Sequence, residues 1–313
     1  MATLIAYDET RAHCAIATAS GTIALLRRSR ADDGAWDDVA RVDAATADQV
    51  TIALALTLDA HEWTIALASS RGAIEFFAMR KDDGGGRLDL VGEANADVAS
   101  AGVAFAPSGT SEMSHATLAS AGNDGILRIY ARERGRRTTA WEEIERFEPK
   151  CPGGRATCVA WLGTSGGSSA SENFPCVAYC VTFPREQTSV VMIVARDDKL
   201  QRWTLVSEMR GGHLPRGERA LGARWSGATS ARGARELVVF AGKTCVIYEF
   251  VGLSVSGVVS AREIGTLEHE REVNDASFDA SGRTVATAAR DGVVRLWMAN
   301  LQSGAWEQHA MTR

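Results

Sequence analysis

Ala119–Tyr130 reads ASAGNDGILRIY and Ala286–Trp297 reads ATAARDGVVRLW. The two stretches are versions of one pattern: small residues, a tight Asp-Gly turn, then an alternating strand that ends in an aromatic. Asp-Gly between two strand-like runs is a strong hairpin signal, because glycine enters the left-handed region without steric cost. One supersecondary unit written twice at a distance marks a repeat architecture, in which each unit buries an apolar face against its neighbour.

Fainter copies extend the count, with the turn position as marker and the aromatic or apolar residue five places later as check. Gly125 leads to Tyr130 and Gly292 to Trp297; Gly21 leads to Leu26, Gly72 to Phe77, Asp198 to Trp203 and Lys243 to Tyr248. Successive markers are 51, 53, 73, 45 and 49 residues apart, and a four-stranded propeller blade takes about 40–45 residues. The expected fold is therefore all-β: one propeller domain of six blades over residues 1–313. The longest interval holds a flexible Gly/Ser-rich insertion at about 163–173. Period-2 alternation dominates, and no long segment of helical period stands out.

The Asp-Gly turn followed by Trp resembles the blade pattern of WD-repeat proteins. That resemblance implies a buried structural tetrad in the last blade from His269, Thr287, Asp291 and Trp297. In it Asp291 accepts from His269, and the Thr287 hydroxyl joins His269 to the Trp297 indole. Asp124, Gly125, Tyr130 and Trp203 are blade-turn positions of the same kind. Such a network stabilises only when every member is satisfied.

Composition narrows the function classes. A net charge of −5 and a pI near 5.8 argue against a nucleic-acid binder. The basic run Arg132–Arg137 reads as a solvated loop. The six cysteines form no CxxC pair and have no histidine at metal-ligand spacing, so they read as buried thiols in a reducing compartment. Asp8 and Glu9 interrupt the apolar run at the N-terminus, which does not read as a signal peptide. Val50–Leu58 is too short to span a bilayer, which takes about 20 residues. A soluble protein with no metal and no cofactor is expected.

Three catalytic motifs fail on context. Gly163-Thr-Ser-Gly-Gly167 matches a nucleophile elbow, but a loop follows where a helix is needed. Ala241-Gly-Lys-Thr244 lacks the earlier glycine of a phosphate loop, since position 237 is Leu, and it runs into a strand. His269-Glu-Arg-Glu-Val lacks the second histidine of a zinc protease helix. No enzymatic activity is expected.

Residues 103–148 carry a more specific likeness. Phe105–Pro107, Gly122–Tyr130 and Trp141 follow one another as in the third blade of the Seh-one type nucleoporins, close relatives of Sec-thirteen. Asp291–Asn300 (DGVVRLWMAN) resembles the C-terminal segment of that family, and Ala6–Asp8 with Ile16–Ser20 resembles its first blade more loosely. The chain departs from the family at Ser20-Gly21, Arg71-Gly72 and Gly242-Lys243, where aspartate turns are expected.

The resemblance implies a six-bladed propeller that is open and is completed by a blade donated by a partner, an α-solenoid scaffold nucleoporin of the nuclear pore outer ring. Its partner-binding edge would include Leu4, Ile5, Ala6, Tyr7, Ile16 and Thr18, with the Ala286–Trp297 blade on the other side. Unpaired edges of this kind recruit strands. The implied role is structural, in nucleocytoplasmic, mRNA and protein transport at the nuclear envelope, peripheral to the membrane, with a possible cytoplasmic or endolysosomal pool. Neither nucleic acid nor a small-molecule substrate is implied. Two alternatives stay open: a Sec-thirteen-like vesicle-coat subunit and a closed WD-repeat adaptor that binds peptides.

Overall fold

A computed structural model describes residues 3–8, 12–18, 21–29, 35–43, 51–58, 62–80, 86–95, 98–107, 115–133, 140–149, 153–163, 174–186, 188–197, 200, 202–210, 214–215, 222–229, 234–258, 260–300 and 303–312. Cys151, Asp198, Arg134–Arg137 and most of the expected insertion lie outside these residues. The chain divides into two compact units, residues 1–108 with 112–148, and residues 149–313 with 109–111. All the regular elements among the described residues are strands.

The first unit holds three antiparallel blades. The first is β1 (Thr3–Tyr7), β2 (His13–Thr18), β3 (Thr22–Arg28) and β4 (Trp36–Asp43). The second is β5 (Thr51–Leu58), β6 (Glu62–Ser69), β7 (Ala73–Arg80) and β9 (Asp89–Asn95); the two-residue β8 (Gly86–Arg87) leaves it to pair in parallel with β4. The third is β10 (Ser100–Phe105), β11 (His115–Gly122), β12 (Leu127–Glu133) and β13 (Glu142–Phe147).

The second unit holds the other three. They are β14 (Arg155–Trp161) to β17 (Arg202–Arg210) by way of β15 (Cys176–Phe183) and β16 (Thr188–Asp197); β18 (Gly222–Thr229), β19 (Arg235–Ala241), β20 (Thr244–Val251) and β21 (Ser260–Glu268); and β22 (Val273–Phe278), β23 (Thr284–Ala289), β24 (Val294–Ala299) and β25 (Trp306–Thr312). The fold is thus an all-β propeller of six blades, five of them built from four consecutive strands and the second skipping β8.

Apolar packing between neighbouring blades fills each unit. Ile23 and Leu25 of the first blade meet Ile65, Leu67 and Phe77 of the second. The Phe76 ring stacks on Trp141 with centroids 4.2 Å apart, a contact worth about 1 kcal/mol beyond the area it buries. In the second unit Cys176, Ile193, Leu237 and Phe250 share one core, while Ile247, Leu267, Phe278, Val285 and Trp297 share the next. Arg132 departs from the solvated reading of its basic run. It is buried, donates to Glu62 at 2.7 Å and lies 5.3 Å from the centre of the Trp141 ring.

One irregularity recurs in every blade. The register between its third and fourth strands slips at Leu25/Leu26, Phe76/Phe77, Ile129/Tyr130, Ile193/Val194, Ile247/Tyr248 and Leu296/Trp297. Five of the six check residues stand at this bulge. The fourth blade differs: its hairpin turn is at Pro184–Glu186, and Val194 occupies the bulge. Asp198 follows the third strand rather than preceding it, so Trp203 belongs to the outer strand and not to the blade-turn position assigned to it.

Candidate interaction surfaces

The two Asp-Gly turns have one geometry. Gly125 and Gly292 adopt φ of 84° and 74°, and their N–H groups donate to Gly122 and Ala289. Asp124 Oδ1 accepts from the Ile126 N–H at 3.1 Å and Asp291 Oδ1 from the Val293 N–H at 2.9 Å. The other carboxylate oxygen in each accepts from the arginine four residues on, Arg128 at 2.5 Å and Arg295 at 2.7 Å. Burial pushes the Asp124 carboxyl up, but the bonds from Arg128 and Ile126 outweigh it and leave the group below its usual range. Asp291 is lowered by Arg295 first and by the Val293 N–H second.

The expected tetrad is therefore a triad with a separate clamp. The Thr287 hydroxyl lies 2.7 Å from His269 Nε2 and accepts from the Trp297 indole at 2.9 Å, while His269 Nδ1 faces the Leu267 carbonyl. Asp291 turns away to Arg295 instead of accepting from His269, because Arg295 projects from the strand its turn opens and reaches the carboxylate first. Burial, then the nearby Arg295 charge, pulls His269 below its ordinary pKa. In the third blade Ser120 stands where Thr287 stands, and its hydroxyl meets that of Ser100 at 2.8 Å. These groups lock strands together.

The edge expected from the first strands splits into two faces. Leu4 and Ala6 are partly buried and pack against the core shared with the second blade. Ile5, Tyr7, Ile16 and Thr18 lie on the opposite face, since Ile5 pairs with Ile16 across β1 and β2. Ile5 and Tyr7 are both more than half exposed, and Tyr7 sits 6.1 Å from the ring of exposed Trp36. Thr18 bonds the Thr22 backbone and is held within the hairpin. Along the outer side, β8 already pairs with β4.

The last blade has the same asymmetry. Arg295 and Trp297 point into its packed side, while Val294, Leu296 and Met298 alternate with them and are each nearly two-fifths exposed. A strand apolar on both faces is the pattern of one covered on both. Sequence reading put the Ala286–Trp297 blade at the edge without singling out Val294 or Leu296, and it missed Met298 and Trp36, although VRLWM carries this two-sided signal openly. Among the described residues no group of three or more His, Cys, Asp or Glu is placed to hold a metal, and no helix is long and apolar enough to cross a membrane.

Comparison with known proteins places these features. Residues 261–298 match the WD domain, G-beta repeat family. Protein SEH1 of Arabidopsis thaliana is 24% identical over 206 residues, 62% of this chain and 60% of that protein, so the match spans less than two thirds of the relative's length. Among solved structures, the periplasmic gluconolactonase PpgL of Pseudomonas aeruginosa is similar with a TM-score of 0.68 and 15% identity over 98% of this chain and 84% of that one. The Cps50 (Swd1) propeller domain of Myceliophteria thermophila gives 0.64 and 13% over 99% and 86%. Sqt1 of Saccharomyces cerevisiae gives 0.57 and 10% over 98% and 72%. At such identities the structural likenesses show the fold alone. The chain is a six-bladed propeller whose last blade carries a WD-repeat match, and it is similar in part to SEH1.

Proposed function

We propose that this propeller is a non-enzymatic scaffold subunit of the nuclear pore outer-ring complex, at the nuclear envelope, and that it serves nucleocytoplasmic transport by holding an α-solenoid nucleoporin. The observation that carries the reading is the exposed face of β24, where Val294, Leu296 and Met298 have the composition of a covered strand. The corresponding face of the first blade, with Ile5, Tyr7, Ile16 and Trp36, supports it. Neighbouring exposed apolar side chains of this kind suit an interaction site, and the partial similarity to SEH1 supports membership of a nucleoporin complex. Each face would take a strand-forming segment of the partner: backbone hydrogen bonds at the free edges of β1 and β25, with alternate side chains packed on the apolar face. The tetrad and turn residues His269, Thr287, Asp291, Trp297, Asp124, Gly125 and Tyr130 would serve by keeping the blades rigid.

The test separates binding from folding. Leu296→Glu with Met298→Glu, and separately Ile5→Lys with Tyr7→Lys, change exposed side chains only. In affinity purification followed by mass spectrometry, the wild type should recover outer-ring nucleoporins and both variants should lose them while remaining folded. Recovery of vesicle-coat proteins, or of nucleoporins in equal yield from both variants, overturns the reading.

A further inference from the structure

A pair of thiols inside the second unit has surroundings the other cysteines lack. Cys158 and Cys180 are direct cross-strand partners on β14 and β15, just beyond a register shift. Cα atoms opposite each other in an antiparallel pair are about 4.5–5.5 Å apart, within the span a disulfide bridges. The Cys158 sulfur receives the Ala223 N–H at 3.4 Å and the Arg224 guanidinium at 3.3 Å, both from β18. Arg224 also lies 3.4 Å from Asp275, whose side chain is mostly exposed. A polar path therefore runs from the surface along Arg224 to a sulfur that is otherwise covered. We propose that Cys158 and Cys180 form a peroxide-oxidisable thiol pair, in which Cys158 attacks and Cys180 resolves.

The electrostatics agree with that division. The hydrogen bond from Cys180, with help from Arg224, lowers the Cys158 thiol despite its burial, whereas Cys180 is raised by that same bond and by burial. A thiolate is the reactive form, and a flanking arginine favours it. Cys14, Cys176 and Cys245 are pushed the other way, mainly by burial. The reaction needs only hydrogen peroxide. The Cys158 thiolate takes one peroxide oxygen, the O–O bond breaks, and the departing hydroxide takes up a proton to give water. Cys180 then attacks the sulfenic sulfur and loses its proton; the S–O bond breaks, the oxygen leaves as a second water, and a disulfide remains. Two thiols have given up two electrons, and one peroxide has become two waters. Arg224 then loses its thiolate partner and keeps Asp275.

Peroxide treatment of the folded full-length protein at pH 7, quenching with iodoacetamide and peptide mapping tests this. The expected product is a Cys158–Cys180 linked peptide. Cys180→Ser should instead accumulate a dimedone-reactive sulfenic acid on Cys158. Arg224→Gln should slow oxidation roughly tenfold, and Arg224→Lys should keep it near the wild-type rate. Linkage that forms equally fast in Arg224→Gln overturns the proposal, as does Cys158 remaining alkylatable while Cys14 or Cys245 oxidises. The Cys180→Ser measurement keeps the test open if an Arg224 variant fails to fold.

Discussion

Asp291 Oδ2 stands 2.7 Å from Arg295 Nη2, and the same pairing joins Asp124 to Arg128 at 2.5 Å in the third blade. The two copies differ in burial. The Arg128 side chain is 4% exposed against 11% for Arg295. Both arginines are buried, so removing the carboxylate strands a deeply buried charge in one copy and a less deeply buried one in the other. Breaking a buried pair by deleting one partner costs about 3–5 kcal/mol, although Glu143, 3.6 Å from Arg128, softens the loss.

Asp124→Ala is therefore expected to cost about 3 kcal/mol and Asp291→Ala clearly less. Urea unfolding monitored by tryptophan fluorescence measures both. Equal losses would show that burial of the arginine does not set the cost.

The Thr287 hydroxyl is the common partner of two buried rings. Thr287→Val keeps the shape but leaves the Trp297 indole N–H unpaired, at a cost of about 2 kcal/mol. Thr287→Ser restores the oxygen and most of the stability. A Thr287→Val protein as stable as Thr287→Ser would mean that the bridge contributes nothing.

The propeller was legible because its turns are chemically marked: Gly125 and Gly292 need positive φ, and the aromatics recur at a fixed step. The fourth blade hid its turn. Pro184–Glu186 contains no glycine, and the count fell instead on Asp198, after the third strand. The site was half legible. Strand alternation names two faces but does not say which one a neighbouring blade covers, so Leu4 and Ala6 were grouped with Ile5 and Tyr7. The Asp291–His269 bond failed for another reason: family geometry carries no term for an arginine four residues past the turn, and that arginine wins the carboxylate.

The exposed apolar faces predict a solubility effect without a stability effect. Surface substitutions away from packed features usually change stability by less than about 0.5 kcal/mol. Leu296→Glu with Met298→Glu should thus leave the urea midpoint nearly unchanged and reduce self-association, read by light scattering against concentration. A large drop in the midpoint would place these side chains in the core rather than on a free face.

His269 and Glu236 should bend the pH dependence of stability in opposite directions over one window. Burial, then Arg295, holds folded His269 below its ordinary value near 6.5. As pH falls below that value the unfolded chain takes the proton first, so stability is lost on acidification. Glu236 is pushed up to about 7, by burial first and then by Glu249 opposite it. Here the folded chain takes the proton first as pH falls from 7 toward the ordinary glutamate value, so stability is gained on acidification and lost as pH rises through 7. Comparing urea midpoints at pH 7 and pH 5, His269→Gln should remove an acid-side loss and Glu236→Gln an acid-side gain, each relative to wild type. The two difference slopes must have opposite signs; slopes of the same sign would refute the assignment of one group or the other. The aspartates act lower down. Asp124 and Asp291 are held below their usual value, so their contribution persists above about pH 4 and fades only as pH falls further.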